Sequence, residues 1–305
     1  MENYSAAAGS EPFRNILHLT DFSPCSGAAL TWAMGMARAD EAKLTVLHVV
    51  VPDALIYMTP DSPARALDIQ EKWAQGEMQR IEARLADLPH DTIVARGKDV
   101  WSAADPELKQ LQSDLIVLGT HGRTGLRKIL MGSVAERVLR SSAVPVMTVG
   151  PAVTRELGGD GKFHRVLLAT DFAAGSAEAA GYAMAFAKRD QAELVLLHAC
   201  KKSKQSNSNR GSELSVAEVM HRLHQTIPCA DTLPHRPETL VEYGEAGARI
   251  VEVAKRKEAD LIVMGVRNRG SVFAATHLDM GTAHSVVAQA PCPVLTVRPK
   301  VQQAA

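Results

Sequence analysis

The chain carries one pattern twice. LHLTDF at 17–22 returns as LLATDF at 167–172, and LTVLHV around His48 returns as LVLLHA around His198, both after 150 residues. DLIVLG at 114–119 matches DLIVMG at 260–265, and VPVMTV at 144–149 matches CPVLTV at 292–297. A period this long is not that of a solenoid, whose units run to a few tens of residues, so these are two copies of one domain. The 305 residues are enough for about two domains of ordinary size. The copies are expected at 13–150 and 163–299, joined by PAVTRELGGDGK (151–162), whose Pro, Gly and Asp suit a linker.

Within the first copy, short apolar runs alternate with helical patterns. The order is Ile16–Thr20, a helix near 23–40, Leu44–Val50, a helix near 63–88, Thr92–Ala95, a helix around 103–112, Leu115–Leu118, a helix from Ser133, and Val144–Val149. The second copy runs the same way. Strands without polar alternation are buried on both faces and need helices on both sides. The expected fold class is therefore α/β, with two tandem, doubly wound, parallel five-stranded sheets and helices on both faces. Ligands of such sheets bind off the carboxyl ends of the strands, near the point where strand order reverses.

Charge narrows what those ligands are. Lys plus Arg and Asp plus Glu both number 34, so there is no electrostatic case for bulk nucleic-acid or membrane-surface binding, and any anion must be held locally. The apolar runs are too short to cross a bilayer. MENYSAAAGSEPFRN lacks the basic and apolar regions of a signal peptide, and Cys25, Cys200, Cys229 and Cys292 lack CxxC spacing. Reduced thiols in the cytoplasm are the expectation.

The most informative stretch is GTHGRTGLRKILMGS, 119–133, between a strand and a helix. Gly119 is expected to turn the backbone at positive φ, and Gly122 to let main-chain amides approach an anion with no Cβ in the way. Ser133 is expected to cap the next helix, whose first amides and dipole favour phosphate. Arg123, Arg127 and Lys128 lie in the loop, Arg123 being near enough in sequence to add charge to the site. The spacing Gly-x2-Gly-x9-Gly-Ser lacks the Gly-Lys-Ser/Thr of a P-loop and the GxGxxG of a dinucleotide fold. Taken alone, a glycine-rich turn is as often a tight connection as an anion site.

With Thr20-Asp21 ending the first strand and His48-Val49 the second, the chain resembles a tandem member of the universal stress protein family, in its ATP-binding branch. The resemblance spans roughly 13–150 and 163–298, and implies a Rossmann-like fold of the adenine nucleotide alpha hydrolase type. It further implies that ATP or another adenine nucleotide, with Mg2+, binds the first copy. Asp21 and Val49 would meet the adenine and ribose, while Gly122, Gly132, Ser133 and neighbouring amides would hold the phosphates, with Thr20, Gly119, Arg123 and Val134 completing the expected binding residues. An unknown protein partner, an intrachain pseudo-dimer through the fifth strands and a homodimer also follow from the resemblance. A carboxylate at Asp21 suits ribose hydroxyls or an adenine amino group, since it only accepts hydrogen bonds.

The second copy departs from this pattern. Between Gly265 and Gly281-Thr282 its loop is three residues longer, and Asn268 replaces the second glycine. Weak or absent nucleotide binding is expected there, with Phe273 folding over the site and Asp171 kept for structure. His48 and His198 are expected as hydrogen-bonding residues, because no metal-ligand spacing accompanies them. His121 is either a phosphate contact or a solvated loop residue, and Cys25 a small residue at a helix start. The inserts differ: Leu55, Ile56, Tyr57 and Met58 make the first apolar, whereas KKSKQSNSNRGS (201–212) is polar and lacks the aromatics of a nucleic-acid arm. No nucleophile–base pair is assignable, and the resemblance implies a regulatory or binding role in stress response. The alternatives are slow hydrolysis with Asp21 or His121 placing a water, and a nucleotide-independent scaffold. An adenylate-forming enzyme would carry an SGGxDS or HxGH-like signature, which is missing.

Overall fold

The structure is a computed structural model and describes residues 13–52, 63–122, 131–153, 161–200, 215–228, 230–266 and 279–299. The chain divides into two compact units, one of residues 13–151 and the other running from Ala152 onward.

In the first unit, β1 (Asn15–Leu19), α1 (Pro24–Asp40), β2 (Lys43–Val50), α2 (Pro63–Glu82), β3 (His90–Arg96), α3 (Val100–Gln110), β4 (Leu115–Gly119), α4 (Ser133–Ser141) and β5 (Val146–Val149) follow one another. The strands are parallel in the order β3-β2-β1-β4-β5. Their apolar runs lie buried on both faces, as in Leu44 to Val50 and Leu115 to Leu118. Helix α1 packs on β1 and β4, α2 on β2 and β3, and α3 on β2 and α4. Leu30, Trp32, Met34 and Met36 of α1 are buried.

The second unit repeats this with β6 (Arg165–Ala169), α5 (Ala174–Asp190), β7 (Glu193–Cys200), α6 (Val216–Thr226), β8 (Glu238–Tyr243), α7 (Ala246–Arg256), β9 (Leu261–Gly265), α8 (Asp279–Gln289) and β10 (Val294–Val297). The order is β8-β7-β6-β9-β10, again parallel. Phe163, just ahead of β6, is fully buried with its ring edge on Phe186 at 5.2 Å.

Several boundaries differ from the sequence reading, two of them at helix ends with a plain local cause. Helix α2 stops at Glu82, because Arg84 and Leu85 bond three residues back to Ile81 and Glu82 and tighten the chain into turns. Helix α3 starts at Val100, ahead of the expected 103, because the Asp99 carboxylate caps it by accepting from the Ser102 amide at 2.9 Å.

In each unit the connections from the first and fourth strands leave in opposite directions. β1 leads to β2 on one side and β4 to β5 on the other, so a crevice opens at their carboxyl ends. Register places Leu19 beside Leu118, which brings Thr20 and Asp21 against the segment beginning at Gly119.

Candidate functional site

The first wall of the crevice is the turn after β1. Phe22 adopts φ 61°, a left-handed conformation that costs a bulky residue of order 1–3 kcal/mol and persists only when neighbours hold it. Its amide donates to Thr20 Oγ1 at 3.1 Å, and its ring lies 4.4 Å from that of His48. His48 Nδ1 in turn donates to the Thr20 carbonyl at 2.7 Å. Beyond the turn, Ser23 is the N-cap of α1, its Oγ accepting from the Ser26 amide at 3.2 Å. Asp21 therefore stands on a turn that is fastened on both sides.

The second wall comes from β4. Thr120, fully buried, accepts from the Gly132 amide at 2.7 Å, which brings together the two ends of the segment between them. Asp21 Oδ1 accepts from the Ser23 amide at 3.0 Å, while a Cβ built on Gly122 would lie 2.9 Å from Oδ2 of the same carboxylate. A Cβ on Gly132 would be 3.1 Å from the Thr120 carbonyl oxygen and 4.0 Å from the Gly122 amide nitrogen. Asp21, Gly122 and Gly132 are thus brought to one place, with backbone exposed where side chains would fill the space. Among the described residues, positive φ occurs in Gly161 and Gly244 but not in Gly119, Gly122 or Gly132. Gly119 is required for a different reason from the expected turn. A Cβ there would meet the Cys25 carbonyl carbon and the Ser26 amide nitrogen at 2.9 Å, so the glycine lets α1 close on β4.

Helix α4 opens differently from the sequence reading as well. Gly132 is its N-cap, at φ −63° and ψ 149°, and no side chain caps it. Ser133 is the first helical residue, and exposed, because the Gly132 carbonyl already accepts the first helical bond, from the Glu136 amide at 3.0 Å. The first turn of α4 consequently has no side-chain acceptor at its cap, which is the condition for holding an anion. Val134 is 38% exposed. Val49 by contrast is buried, with Cγ1 3.4 Å from a Cβ built on Gly97, and packs under the β3–α3 connection. His121 Nδ1 is hydrogen-bonded to the Thr120 hydroxyl at 2.8 Å, and Cys25 Sγ donates to the Val149 carbonyl at 3.2 Å. Arg123, Arg127 and Lys128 lie outside the described residues, as do Leu55 to Met58, Asn268, Phe273 and segment 201–212.

Beside Ser133 and Val134, an open groove is also lined by Asp99, Val100, Trp101 and Arg137. Sequence reasoning missed these residues. The DVWS run at 99–102 was the available signal, since an Asp three residues ahead of a Ser amide is a helix start. The Ser102 amide, followed by its side chain, holds the Asp99 carboxyl below the usual carboxylate range.

The second unit keeps the turn and changes the rest. Phe172 has φ 61°, its amide donates to Thr170 Oγ1 at 3.0 Å, its ring stacks on His198 at 4.5 Å, and His198 Nδ1 donates to the Thr170 carbonyl at 2.8 Å. Asp171 Oδ1 accepts both the Ala173 amide at 2.9 Å and the Ser176 hydroxyl at 2.8 Å. In the first unit the corresponding serine, Ser26, bonds Thr20 instead, at 2.6 Å. The Arg222 guanidinium lies 5.8 Å over the Phe172 ring, within cation–π range. Gly281 is the third residue of α8, not the residue ahead of it, so the Gly-Thr step falls inside the helix. Among the described residues no group of three His, Cys, Asp or Glu side chains could hold a metal ion, and no helix is long and apolar enough to cross a membrane.

Residues 12–150 and 162–298 each match the universal stress protein family. A universal stress protein of Mycolicibacterium smegmatis is 28% identical over 305 residues, covering 93% of this chain and 97% of that protein. One from Mycobacterium tuberculosis H37Rv is 26% identical, covering 90% and 93% respectively. The crystal structure of a universal stress protein from Archaeoglobus fulgidus superposes with a TM-score of 0.68 at 25% identity, covering 93% of this chain and 98% of that one.

Proposed function

The chain belongs to the universal stress protein family as a tandem of two domains, and from that premise we propose that its first domain binds ATP or a related adenine nucleotide. The observation carrying this reading is the convergence of Asp21, Gly122 and Gly132, where a Cβ on Gly122 would press on the Asp21 carboxylate at 2.9 Å and one on Gly132 on the Thr120 carbonyl at 3.1 Å, so that bare backbone is kept at both positions. The amides of Gly122, Ser133 and Val134 would face the phosphates, Thr20 and Asp21 the sugar or base, and Mg2+ would enter on the phosphates. The dipole of α4 favours that charge, and its cap offers no competing side-chain acceptor. Val49 would shape the floor under the base from its buried position. Binding in the cytoplasm, read by a protein partner in the stress response, is the role proposed for the nucleotide.

The second domain is proposed to bind weakly or not at all. Its Asp171 carboxylate is engaged by two local donors, and its Gly-Thr step is absorbed into α8. The test is mass spectrometry of nucleotide released on denaturing the purified full chain, with Gly122→Val and Gly132→Val alongside and circular dichroism confirming their folds. One adenine nucleotide per wild-type chain, absent from both folded variants, is the expected result. No release combined with flat calorimetry against Mg-ATP would remove the reading, and two nucleotides per chain would refute the asymmetry.

A further inference from the structure

Strand β1 carries a histidine into the core of the first domain. His18 is 0% exposed, and its Nδ1 donates to the Val117 carbonyl of β4 at 3.0 Å. That bond assigns the proton to Nδ1 and leaves Nε2 as a bare acceptor, which has no hydrogen-bond partner among the described residues. The duplicated position in the second domain is Leu168, also 0% exposed, so the sheet itself does not require a polar group here. The charges felt by His18 are Asp21, which favours its protonation, and Arg84, which opposes it. Among the described residues, the fully buried side chains of α1, α2, α3 and α4 include no ionisable group, while at the end of α1 one carboxylate oxygen of Asp40 is buried. On neighbouring β2 the buried histidine is His48, with Nδ1 committed to the Thr20 carbonyl.

We propose that His18 is an acid-operated switch built into the first domain and missing from the second, in which protonation of Nε2 places an unmatched cationic donor between β1 and β4 and opens the domain that carries Asp21 and Gly122. Burial is the main reason the ring stays neutral in the folded domain, where its pKa falls from 6.5 to about 4. A lowered folded pKa means that the unfolded chain takes up the proton first. Stability is therefore fully present above about pH 6.5 and is lost progressively as pH falls towards 4. With those two values, the folding equilibrium of the first domain drops about thirty-fold between pH 8 and pH 5 through this residue alone.

The chain supplies its own reporter, because all three tryptophans, Trp32, Trp73 and Trp101, belong to the first domain. Urea unfolding of the full chain, followed by tryptophan fluorescence from pH 8 to pH 5, is compared between wild type and His18→Leu. The expected difference is a wild-type loss about thirty-fold larger than that of the variant. Equal pH dependence in the two proteins would overturn the proposal. Should the leucine variant fail to fold, His18→Gln replaces it as the non-titrating comparison, and the ring nitrogens of wild type are followed by NMR. A folded-state ring that titrates near pH 6.5 would also overturn it.

Discussion

Replacing Gly265 by alanine tests the packing logic of the sheet ends most severely. A Cβ there would lie 2.3 Å from the Gly175 carbonyl carbon, 2.5 Å from its oxygen and 2.5 Å from the Ser176 amide nitrogen. Carbon atoms in contact sit about 3.5–4.0 Å apart, so α5 must retreat from β9 by roughly 1 Å or more. Every atom met is backbone, and no rotamer change can relieve the overlap. Overpacking of a core ordinarily costs about 1–3 kcal/mol, and this geometry belongs at or above the upper end, about 3 kcal/mol. Gly119→Ala in the first domain meets the equivalent backbone at 2.9–3.0 Å and needs about half the displacement, so about 1–2 kcal/mol is expected. For a domain of this size, 3 kcal/mol corresponds to a melting shift of about 10 °C. Thermal unfolding is read by circular dichroism for both domains and by tryptophan fluorescence for the first alone. Gly265→Ala should shift the transition that dichroism sees and fluorescence does not. A Gly265→Ala protein within 0.5 kcal/mol of wild type, or one less affected than Gly119→Ala, would refute the reasoning.

Two further substitutions probe separate layers of the fold. Ser23→Ala removes the N-cap of α1 and its bond to the Ser26 amide; a loss of about 1 kcal/mol in the fluorescence-detected urea transition is expected, and an unchanged midpoint would show that the cap is dispensable. Phe163→Ala empties a fully buried site beside Phe186; a cost of about 3–5 kcal/mol is expected in the second domain, and a measured loss under 1 kcal/mol would mean that the surroundings collapse into the space.

The architecture was legible because it depends on patterns that local sequence carries. Unbroken apolar runs such as LIVLG demand cover on both faces, and the duplicated segments reveal two domains at once. The proposed site could be assembled from sequence in its parts but not in its geometry. Gly119 looks like a turn glycine in sequence, yet its necessity comes from α1, whose approach depends on how β1 and β4 pair. Ser133 has the composition of a cap, but the Glu136 amide bonds the Gly132 carbonyl, which places the cap one residue back. Val49 shares a strand end with His48 and faces the opposite way, so it is buried beneath Gly97. The Asp99–Trp101 groove joins two helix starts that are distant in sequence and meet only after folding. His18 gave no signal against the apolar run around it, since its unmatched nitrogen is a property of the packed core.

The left-handed phenylalanine turn is fastened by hydrogen bonds from within its own domain. Thr20 bonds Leu47, Phe22 and His48, and Thr170 bonds Leu197, Phe172 and His198 in the same three ways. None of these bonds involves the segment between the fourth strand and the following helix. The segment does touch the corner through Ser23, whose hydroxyl donates to the His121 carbonyl at 3.4 Å, yet after duplication it can diverge in one copy while the three threonine bonds stay in place. Grafting residues 119–134 in place of the corresponding stretch after β9 is then a transplant onto a corner that already exists, and the segment becomes an exchangeable cassette in a chain whose two frameworks stay alike.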